Sequence, residues 1–364
     1  MKKTELLLIA LFLGASPFAA SDTELAADIA FQAQDRIDKG YHLGTVIGVI
    51  DRNGPRYYGF GRLSLGGNAK PDKNSIFEIG SITKPISAAL MAILDDSGDI
   101  SLQAPAVDFM PVLSKSADPD GAISITDLLN HTSGFARNPL DIDTEDDHRF
   151  RNYSLDQFHQ FLAGYKPKVK PGTYSYSNLG YMIIELVVEQ SFETDFEILM
   201  QKQLFDPLKM SDSHFAVPNE KQSRLVTGFR KGAETDALNL GRYSSFGGLR
   251  STAQDMLYFI GAQIGLYKTP VDAALKETQR IRLRQGKRVL ALGWEVMERQ
   301  ESGKTLYFHR GGTNGFVSLA AFDLENQKGV IVLVNGRNWF SDLGFRILDS
   351  SYPLKEDLPS IVEN

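Results

Sequence analysis

The spacing of apolar residues predicts amphipathic helices along much of the chain. Between residues 24 and 37, apolar side chains recur at helical intervals, and Gly40 follows as a stop signal. The same spacing predicts five further helices, over residues 81–94, 179–188, 196–204, 252 to about 264 and about 340 to 350. The middle of the chain is therefore expected to be mostly helical.

Short runs of β-branched and aromatic residues predict strands near both ends of the chain. The runs at 45–50 and 56–60 flank Asn53-Gly54-Pro55, a turn signal that predicts an antiparallel hairpin. Four more runs lie towards the other end, at residues 292–296, 306–309, 316–322 and 329–334. Strands at both ends with helices between them predict one α/β domain built from the termini, with a helical domain inserted.

Residues 1–21 have the pattern of a cleaved secretory signal. A basic start at Lys2 and Lys3 precedes an apolar run over 6–15, and small residues follow at 19–21. The apolar run is shorter than the roughly 20 residues that a membrane-spanning helix needs. We expect export to the periplasm or the medium, with no integral membrane segment after cleavage. The alternative is a retained membrane anchor.

Composition narrows the possible chemistry. The chain has 364 residues, 42% of them hydrophobic, which is enough to bury a sizeable core and excludes disorder as the main state. A net charge of −6 argues against a surface that binds nucleic acid. The absence of cysteine excludes disulfides and thiol nucleophiles, and the six histidines form no His-Glu-x-x-His pair. We therefore expect no metal and no cofactor.

Ser81 and Lys84 form the only Ser-x-x-Lys sequence in the chain, at the predicted start of the 81–94 helix. Residues three apart lie on one helical face, so the lysine amine can reach the serine hydroxyl. A partly desolvated lysine has a lowered pKa and can accept the hydroxyl proton. A backbone N–H at a helix start can also stabilise an oxyanion. The alternative is a helix N-cap beside a surface lysine.

Two further motifs carry candidate chemistry. Tyr176 and Asn178 form the only Tyr-x-Asn sequence, in a polar loop that opens the 179–188 helix. A phenol near a lysine can pass a proton to a leaving group, and an amide can hold a substrate carbonyl. Residues 309–312 follow a predicted strand, where glycines let a ligand approach the strand edge. Taken singly, these motifs also fit a loop tyrosine with an asparagine cap and a glycine-rich hairpin turn.

In the order Ser-x-x-Lys, Tyr-x-Asn and His-x-Gly, the motifs resemble those of the serine β-lactamase and DD-peptidase superfamily. The resemblance is closest to class C β-lactamases and the related DD-carboxypeptidases and esterases, and it spans about residues 43 to 336. It implies an antiparallel sheet flanked by helices, with an α/β domain in 22–80 and 240–364. A mainly helical domain would occupy 81–239.

The resemblance also implies roles for individual residues. Ser81 would be the acylated nucleophile, Lys84 its base, and Tyr176 a second proton carrier. Asn178 would bind the substrate amide, and the amides of Ser81 and Gly312 would form the oxyanion hole. The substrate-binding strand would contribute His309, Arg310, Gly311 and Gly312. His131 is interpreted as part of the scaffold.

One departure from the family pattern bears on the substrate. Class C β-lactamases usually carry Lys-Thr-Gly where this chain has His309-Arg310-Gly311. An imidazole with a pKa near 6.5 then replaces a permanent ammonium. Binding of a substrate carboxylate is therefore expected to depend on pH unless Arg310 compensates.

Together these features imply an exported serine hydrolase that works through an acyl-enzyme on Ser81. Its expected partner is a small molecule or a peptidoglycan peptide, namely a D-Ala-D-Ala-type cell-wall peptide or a β-lactam. One alternative is a carboxylesterase on the same fold. Another is a penicillin-binding sensor that is acylated without turnover.

Overall fold

The computed structural model describes residues 25–115, 117–142, 150–338 and 340–355, so the predicted signal segment lies outside the described residues. The helices are α1 Ala27–Asp38, α2 Thr83–Asp96, α3 Ala106–Phe109, α4 Ile125–Leu129, α5 Leu155–Gly164, α6 Asn178–Phe192, α7 Phe196–Met200, α8 Asp206–Leu208, α9 Ala253–Gln263, α10 Asp272–Gln279 and α11 Ser341–Leu348. The strands are β1 Gly44–Asp51, β2 Gly54–Gly61, β3 Phe77–Glu78, β4 Gly228–Arg230, β5 Ala233–Thr235, β6 Arg250–Ser251, β7 Leu283–Gln285, β8 Arg288–Leu290, β9 Glu295–Glu298, β10 Thr305–Gly312, β11 Val317–Asp323 and β12 Lys328–Asn335.

A large antiparallel sheet joins the two ends of the chain. Its strand order is β2-β1-β12-β11-β10-β9-β8-β7. The hairpin of β1 and β2 forms as predicted, and β1 pairs on its other side with β12, where Ile47 lies opposite Val332. The β-branched residues of β1 and β12 fit a pleated, buried surface, whereas β2, which has none, lies at the edge of the sheet.

Different helices cover the two faces of the sheet, because successive side chains of a strand point to opposite faces. On one face α1 and α11 pack over Ile47, Leu319 and Val332, all fully buried. A buried ion pair between Arg36 and Asp342, with a nitrogen–oxygen distance of 2.6 Å, joins these two helices. The predicted class, an antiparallel sheet flanked by helices, is confirmed.

The other face packs against α9, and the same apolar core continues into α2 and α6. Almost every residue of α2 is buried, which agrees with a sequence that is apolar on nearly all sides. The core therefore runs from the sheet into the helical region without a break. The division into 22–80 plus 240–364 and 81–239 stays a prediction.

Three details differ from the sequence predictions. Ser81 lies in a short 3₁₀ turn, Gly80–Ile82, and the α-helix begins only at Thr83. The strand predicted at 292–296 lies instead at β9. The strands β7 and β8 escape the pattern because each has only three residues and half of the six are charged or polar. Finally, β10 continues to Gly312, so the third motif lies on the strand rather than after it.

Candidate active site

The turn that carries Ser81 packs against the end of β10. Gly80 has a φ of +51°, and a Cβ atom there would lie only 2.6 Å from the backbone nitrogen of Gly312. A side chain at position 80 is thus excluded both by backbone conformation and by space. The hydroxyl of Thr83 donates a hydrogen bond of 2.7 Å to the Gly80 carbonyl and closes the turn. Ser81 is thereby held beside the third sequence motif.

Lys84 and Tyr176 both reach the Ser81 hydroxyl. The Lys84 Nζ atom lies 3.2 Å from Ser81 Oγ, and the Tyr176 hydroxyl donates to the same oxygen at 2.8 Å. Lys84 is fully buried and also donates a 2.6 Å hydrogen bond to the carbonyl of Phe246. The structure therefore brings together the three residues for which the sequence predicts catalytic roles.

Burial sets the protonation of this group. It lowers the pKa of Lys84 well below its usual value, and the positive charge of Arg137 lowers that pKa further. Burial raises the pKa of Tyr176 to about 12, although the hydrogen bond to Ser81 and the charge of Arg137 oppose this shift. A neutral amine that can accept a proton thus faces a phenol that keeps its proton near neutral pH.

His131 supports Tyr176 from behind. The two rings lie 4.4 Å apart, and the His131 Nδ1 atom accepts a 3.1 Å hydrogen bond from the Ser177 backbone N–H. Burial lowers the pKa of His131 well below its usual value, and the charge of Lys84 adds to this effect. The ring is therefore neutral and packs as scaffold, as the sequence analysis interprets it.

Asn178 lies at the start of α6, but its amide points to a neighbouring loop. The side chain donates a 2.8 Å hydrogen bond to the Asn138 side chain, and the backbone N–H donates to the Arg137 carbonyl at 2.7 Å. The guanidinium of Arg137 lies 5.0 Å from the centre of the Tyr176 ring. Arg137 and Asn138 belong to no spaced motif, so the sequence alone does not single them out.

The third motif borders Ser81 along the free edge of β10. The pairing of β10 with β9 ends at Phe308, so no strand among the described residues pairs with this edge of residues 309–312. Gly311 faces the Ser81 turn so closely that a Cβ atom there would collide with the Ile79 carbonyl. Arg310 lies on the other face of β10, with its guanidinium 5.3 Å from the centre of the Phe308 ring. Its side chain turns away from Ser81.

His309 differs from the sequence expectation in its charge. Burial, reinforced by the charge of Lys84, lowers the pKa of His309 to about 3. The imidazole is therefore neutral throughout the physiological range, whereas the sequence analysis assumes a pKa near 6.5. The burial that causes this shift cannot be inferred from the residue type.

This pKa predicts how substrate binding depends on pH. Between pH 5 and 8, the affinity of the Ser81→Ala protein for a carboxylate-bearing penicillin should vary in the same way whether residue 309 is His or Gln. The reason is that a group with a pKa of about 3 does not titrate in that interval. Equilibrium titrations of the two proteins check this. An increase in affinity below pH 6.5 that disappears in the His309→Gln protein would contradict it.

Arg337 is a cation near the site that the sequence analysis misses. A Cβ atom on Gly312 would lie 2.6 Å from its Nη1 atom, so the guanidinium rests against the end of β10. Partial burial and the nearby charge of Arg230 both lower the pKa of Arg337. Among the described residues no carboxylate pairs with Arg337. It lies on the same face of β10 as Arg310, because residues 310 and 312 point the same way along the strand.

A serine hydroxyl held between a buried amine and a phenol, beside the free edge of a sheet, defines a hydrolase that reacts through an acyl-enzyme. The family model described as Beta-lactamase matches residues 32–347. The chain belongs to the beta-lactamase family and is a serine hydrolase. Within the described residues, no three metal-binding side chains converge, and no helix is both long and apolar enough to cross a bilayer.

Individual relatives support this membership. The D-alanyl-D-alanine-carboxypeptidase/endopeptidase AmpH of Escherichia coli (strain K12) is 25% identical over 338 residues, covering 86% of this chain and 85% of that protein. A beta-lactamase of Yersinia enterocolitica is 24% identical and covers 80% of this chain and 82% of its own. The crystal structure of a class C beta lactamase from Rhodobacter sphaeroides matches with a TM-score of 0.78 at 22% identity, covering 88% and 97% of the two chains. The last comparison shows the shared fold.

Proposed function

We propose that the chain is an exported enzyme that is acylated on Ser81 by D-Ala-D-Ala-type cell-wall peptides, by β-lactams, or by both, and then hydrolyses the acyl-enzyme. The observation that carries this proposal is the position of Ser81 Oγ, within hydrogen-bonding distance of Lys84 Nζ and Tyr176 Oη. One group can take the serine proton while the other supplies a proton to the leaving group.

The proposed reaction starts from neutral Lys84. Its amine takes the Ser81 proton as Oγ attacks the substrate carbonyl carbon, and the N–H groups of Ser81 and Gly312 stabilise the oxyanion. Tyr176 then protonates the leaving nitrogen, the carbon–nitrogen bond breaks, and Tyr176 regains a proton from the Lys84 ammonium. In the second half a water attacks the acyl carbon and loses a proton to the same pair. Ser81 regains its proton as the acid product leaves.

The surroundings of Ser81 favour an extended peptide that ends in a carboxylate. Residues 309–312 offer one edge of β10 to which such a chain can add as a strand. His309 is neutral and Arg310 turns over Phe308, so the proposed cation for the carboxylate is Arg337, whose guanidinium rests against Gly312 at the end of the strand. The curated relatives named D-alanyl-D-alanine-carboxypeptidase/endopeptidase and beta-lactamase agree with this substrate class.

Arg337→Ala should weaken the reaction with carboxylate-bearing substrates about tenfold or more in kcat/KM, because a charge-assisted hydrogen bond contributes about 1.5–3 kcal/mol. Hydrolysis of an uncharged ester by the same protein should change little. Arg310→Ala is the matched control, since it also removes a guanidinium from this end of the sheet. A loss confined to Arg310→Ala would move the carboxylate site to that residue.

A panel of four reagents tests the proposed function. The purified protein is incubated with a fluorescent penicillin, a chromogenic cephalosporin, a D-Ala-D-Ala peptide and a nitrophenyl ester. Covalent labelling together with release of D-Ala, or with cephalosporin turnover, supports the proposal and identifies the substrate. Ester cleavage alone would show a carboxylesterase instead. Labelling without turnover of any reagent would show a penicillin-binding sensor.

Export rests on residues 1–21, whose basic start, apolar run and small residues are typical of a cleaved signal. The proposed location is the periplasm or the medium, where cell-wall peptides are accessible. A mature protein that begins near residue 22, read by amino-terminal sequencing after expression in a bacterium, would support it. Retention of residues 1–21 would favour the membrane anchor.

A further inference from the structure

The buried partner of Lys84 belongs to a loop that is itself held by a buried carboxylate. Phe246 presents its carbonyl to Lys84 Nζ at 2.6 Å, and Ser244 and Ser245 precede it in the same loop. The Glu185 side chain, only 2% exposed, accepts hydrogen bonds from the backbone N–H of Ser244 at 2.9 Å and of Ser245 at 3.0 Å. The Ser244 hydroxyl also donates to it at 3.2 Å.

Burying a carboxylate is unfavourable unless hydrogen bonds compensate for the lost water. On Glu185 that compensation comes from the two N–H groups and the hydroxyl of this loop, so the carboxylate and the loop conformation depend on each other. Two further bonds hold the loop from other sides. Ser245 donates to the Tyr181 carbonyl at 2.9 Å, and Ser87 donates to the Ser245 carbonyl at 2.7 Å.

We propose that Glu185 is a positioning residue, which fixes the Phe246 carbonyl and through it the Lys84 amine at the distance from Ser81 that proton transfer requires. The inference rests on the proposed function of Ser81 and Lys84. It adds a residue that contacts neither Ser81 nor Lys84 and belongs to none of the three sequence motifs. Glu185 acts only through the loop. Its carboxylate holds the loop in place, and the loop holds the Phe246 carbonyl against the Lys84 amine.

The charged and titratable groups near Glu185 are Glu189 on α6, Arg242, which pairs with Glu189 at 2.6 Å, and the phenol of Tyr243. Burial raises the pKa of Glu185 to about 7, against the effect of its backbone hydrogen bonds, and the charge of Glu189 adds a smaller increase. Below that pH the carboxyl is protonated and becomes a donor at one oxygen. It then holds the loop less firmly, so acylation should decline as the pH falls.

The experiment compares wild-type protein with Glu185→Gln by the rate of labelling with a fluorescent penicillin between pH 5 and 9. The glutamine amide turns a donor towards one of the loop N–H groups. We expect the maximal labelling rate to fall at least tenfold. The fall in labelling rate at low pH, the acid limb of the profile, should also move to lower pH. One reason is that the Glu185 titration is lost. The other is that a poorer acceptor at the Phe246 carbonyl stabilises the Lys84 ammonium less and so lowers the pKa of Lys84. Reduced folding alone would lower the amplitude without moving the limb.

Glu189→Gln is the matched control, because it removes a carboxylate one turn along α6 without touching the loop N–H groups. It should leave the maximal rate unchanged and move the acid limb to lower pH much less than Glu185→Gln does, because only the small effect of the Glu189 charge on the pKa of Glu185 is lost. Ser87→Ala loosens the same loop without changing a charge, and it should lower the rate several-fold while the limb stays in place. This variant keeps the test decisive if Glu185→Gln does not fold.

Three outcomes would overturn the inference: an unchanged limb in Glu185→Gln, the same shift in Glu189→Gln, or an unchanged rate in Ser87→Ala. Failure of the proposed function would be distinguishable, because it would be observed in the wild-type protein rather than in the variants. In that case the wild-type protein itself would not be labelled at any pH.

Discussion

Ser81→Ala is expected to abolish covalent labelling by a fluorescent penicillin and to lower turnover of any substrate by at least about 10⁴-fold. Alanine has no hydroxyl to attack a carbonyl carbon, and neither Lys84 nor Tyr176 is placed to replace it. The variant should fold normally, because the 3₁₀ turn is closed by the Thr83 hydroxyl and the Gly80 carbonyl rather than by Ser81. Mass spectrometry of the intact protein and of its peptides checks both the adduct and its position.

The matched control is Ser97→Ala, which removes a hydroxyl at the other end of α2, where it bonds Asp99 at 2.6 Å. That protein should be labelled like the wild type. Adduct formation in Ser81→Ala at a comparable rate would disprove the assignment of the nucleophile. Loss of labelling in both variants would point to a general effect on α2 instead of on the reacting atom.

Local spacing explains why part of this site can be predicted from the sequence. Ser81 and Lys84 are three residues apart, and a helical turn brings such residues to one face in almost any context. Ser81 lies in a 3₁₀ turn instead of the first turn of the predicted α-helix, but the Lys84 amine still reaches the Ser81 hydroxyl. Tyr176 is 95 residues from Ser81 along the chain, and only the family resemblance connects the two motifs.

The remaining features of the site depend on contacts that no local pattern encodes. In the sequence, Glu185 is one polar residue in an otherwise apolar helix. Its role follows only from the hydrogen bonds that it accepts from the 244–246 loop. Arg337 follows a strand whose distance from Gly312 is set by the order of β10, β11 and β12. The neutral state of His309 follows from its burial, which is a property of the packed core. The hydrogen-bond partners of Glu185, the position of Arg337 and the charge of His309 are thus set by the tertiary structure.

The same reasoning applies to the fold. Strands β1 and β12 are rich in β-branched residues and are predicted nearly in full, because their pattern reflects burial on both faces. The last two strands of the sheet, β8 and the edge strand β7, include Arg284, Gln285 and Arg288, and they pair around a turn whose Gly286 has a φ of +58°. Their pairing depends on β9 being present beside them. Such strands are recognised only once the rest of the sheet is in place.

Lys84→Met is expected to slow acylation about 10²–10⁴-fold, the range over which a positioned general base accelerates a reaction. Methionine fills nearly the same volume, so the core around α2 should keep its packing, whereas alanine would leave a cavity. The change also removes an amine whose burial disfavours its charged form, and it leaves the Phe246 carbonyl without its donor. The fold should therefore remain, with a modest change in stability that thermal unfolding can measure.

The pH profile separates the base from a structural contribution. In the wild-type protein acylation should rise with pH as the ammonium of Lys84 loses its proton, and the lowered pKa places that rise well below the usual range of a lysine. In Lys84→Met that part of the rise should be absent, since no amine remains to titrate. Stopped-flow labelling across pH 5 to 9 measures both effects. A Lys84→Met protein that is acylated at a near-normal rate with the wild-type profile would show that another group takes the Ser81 proton.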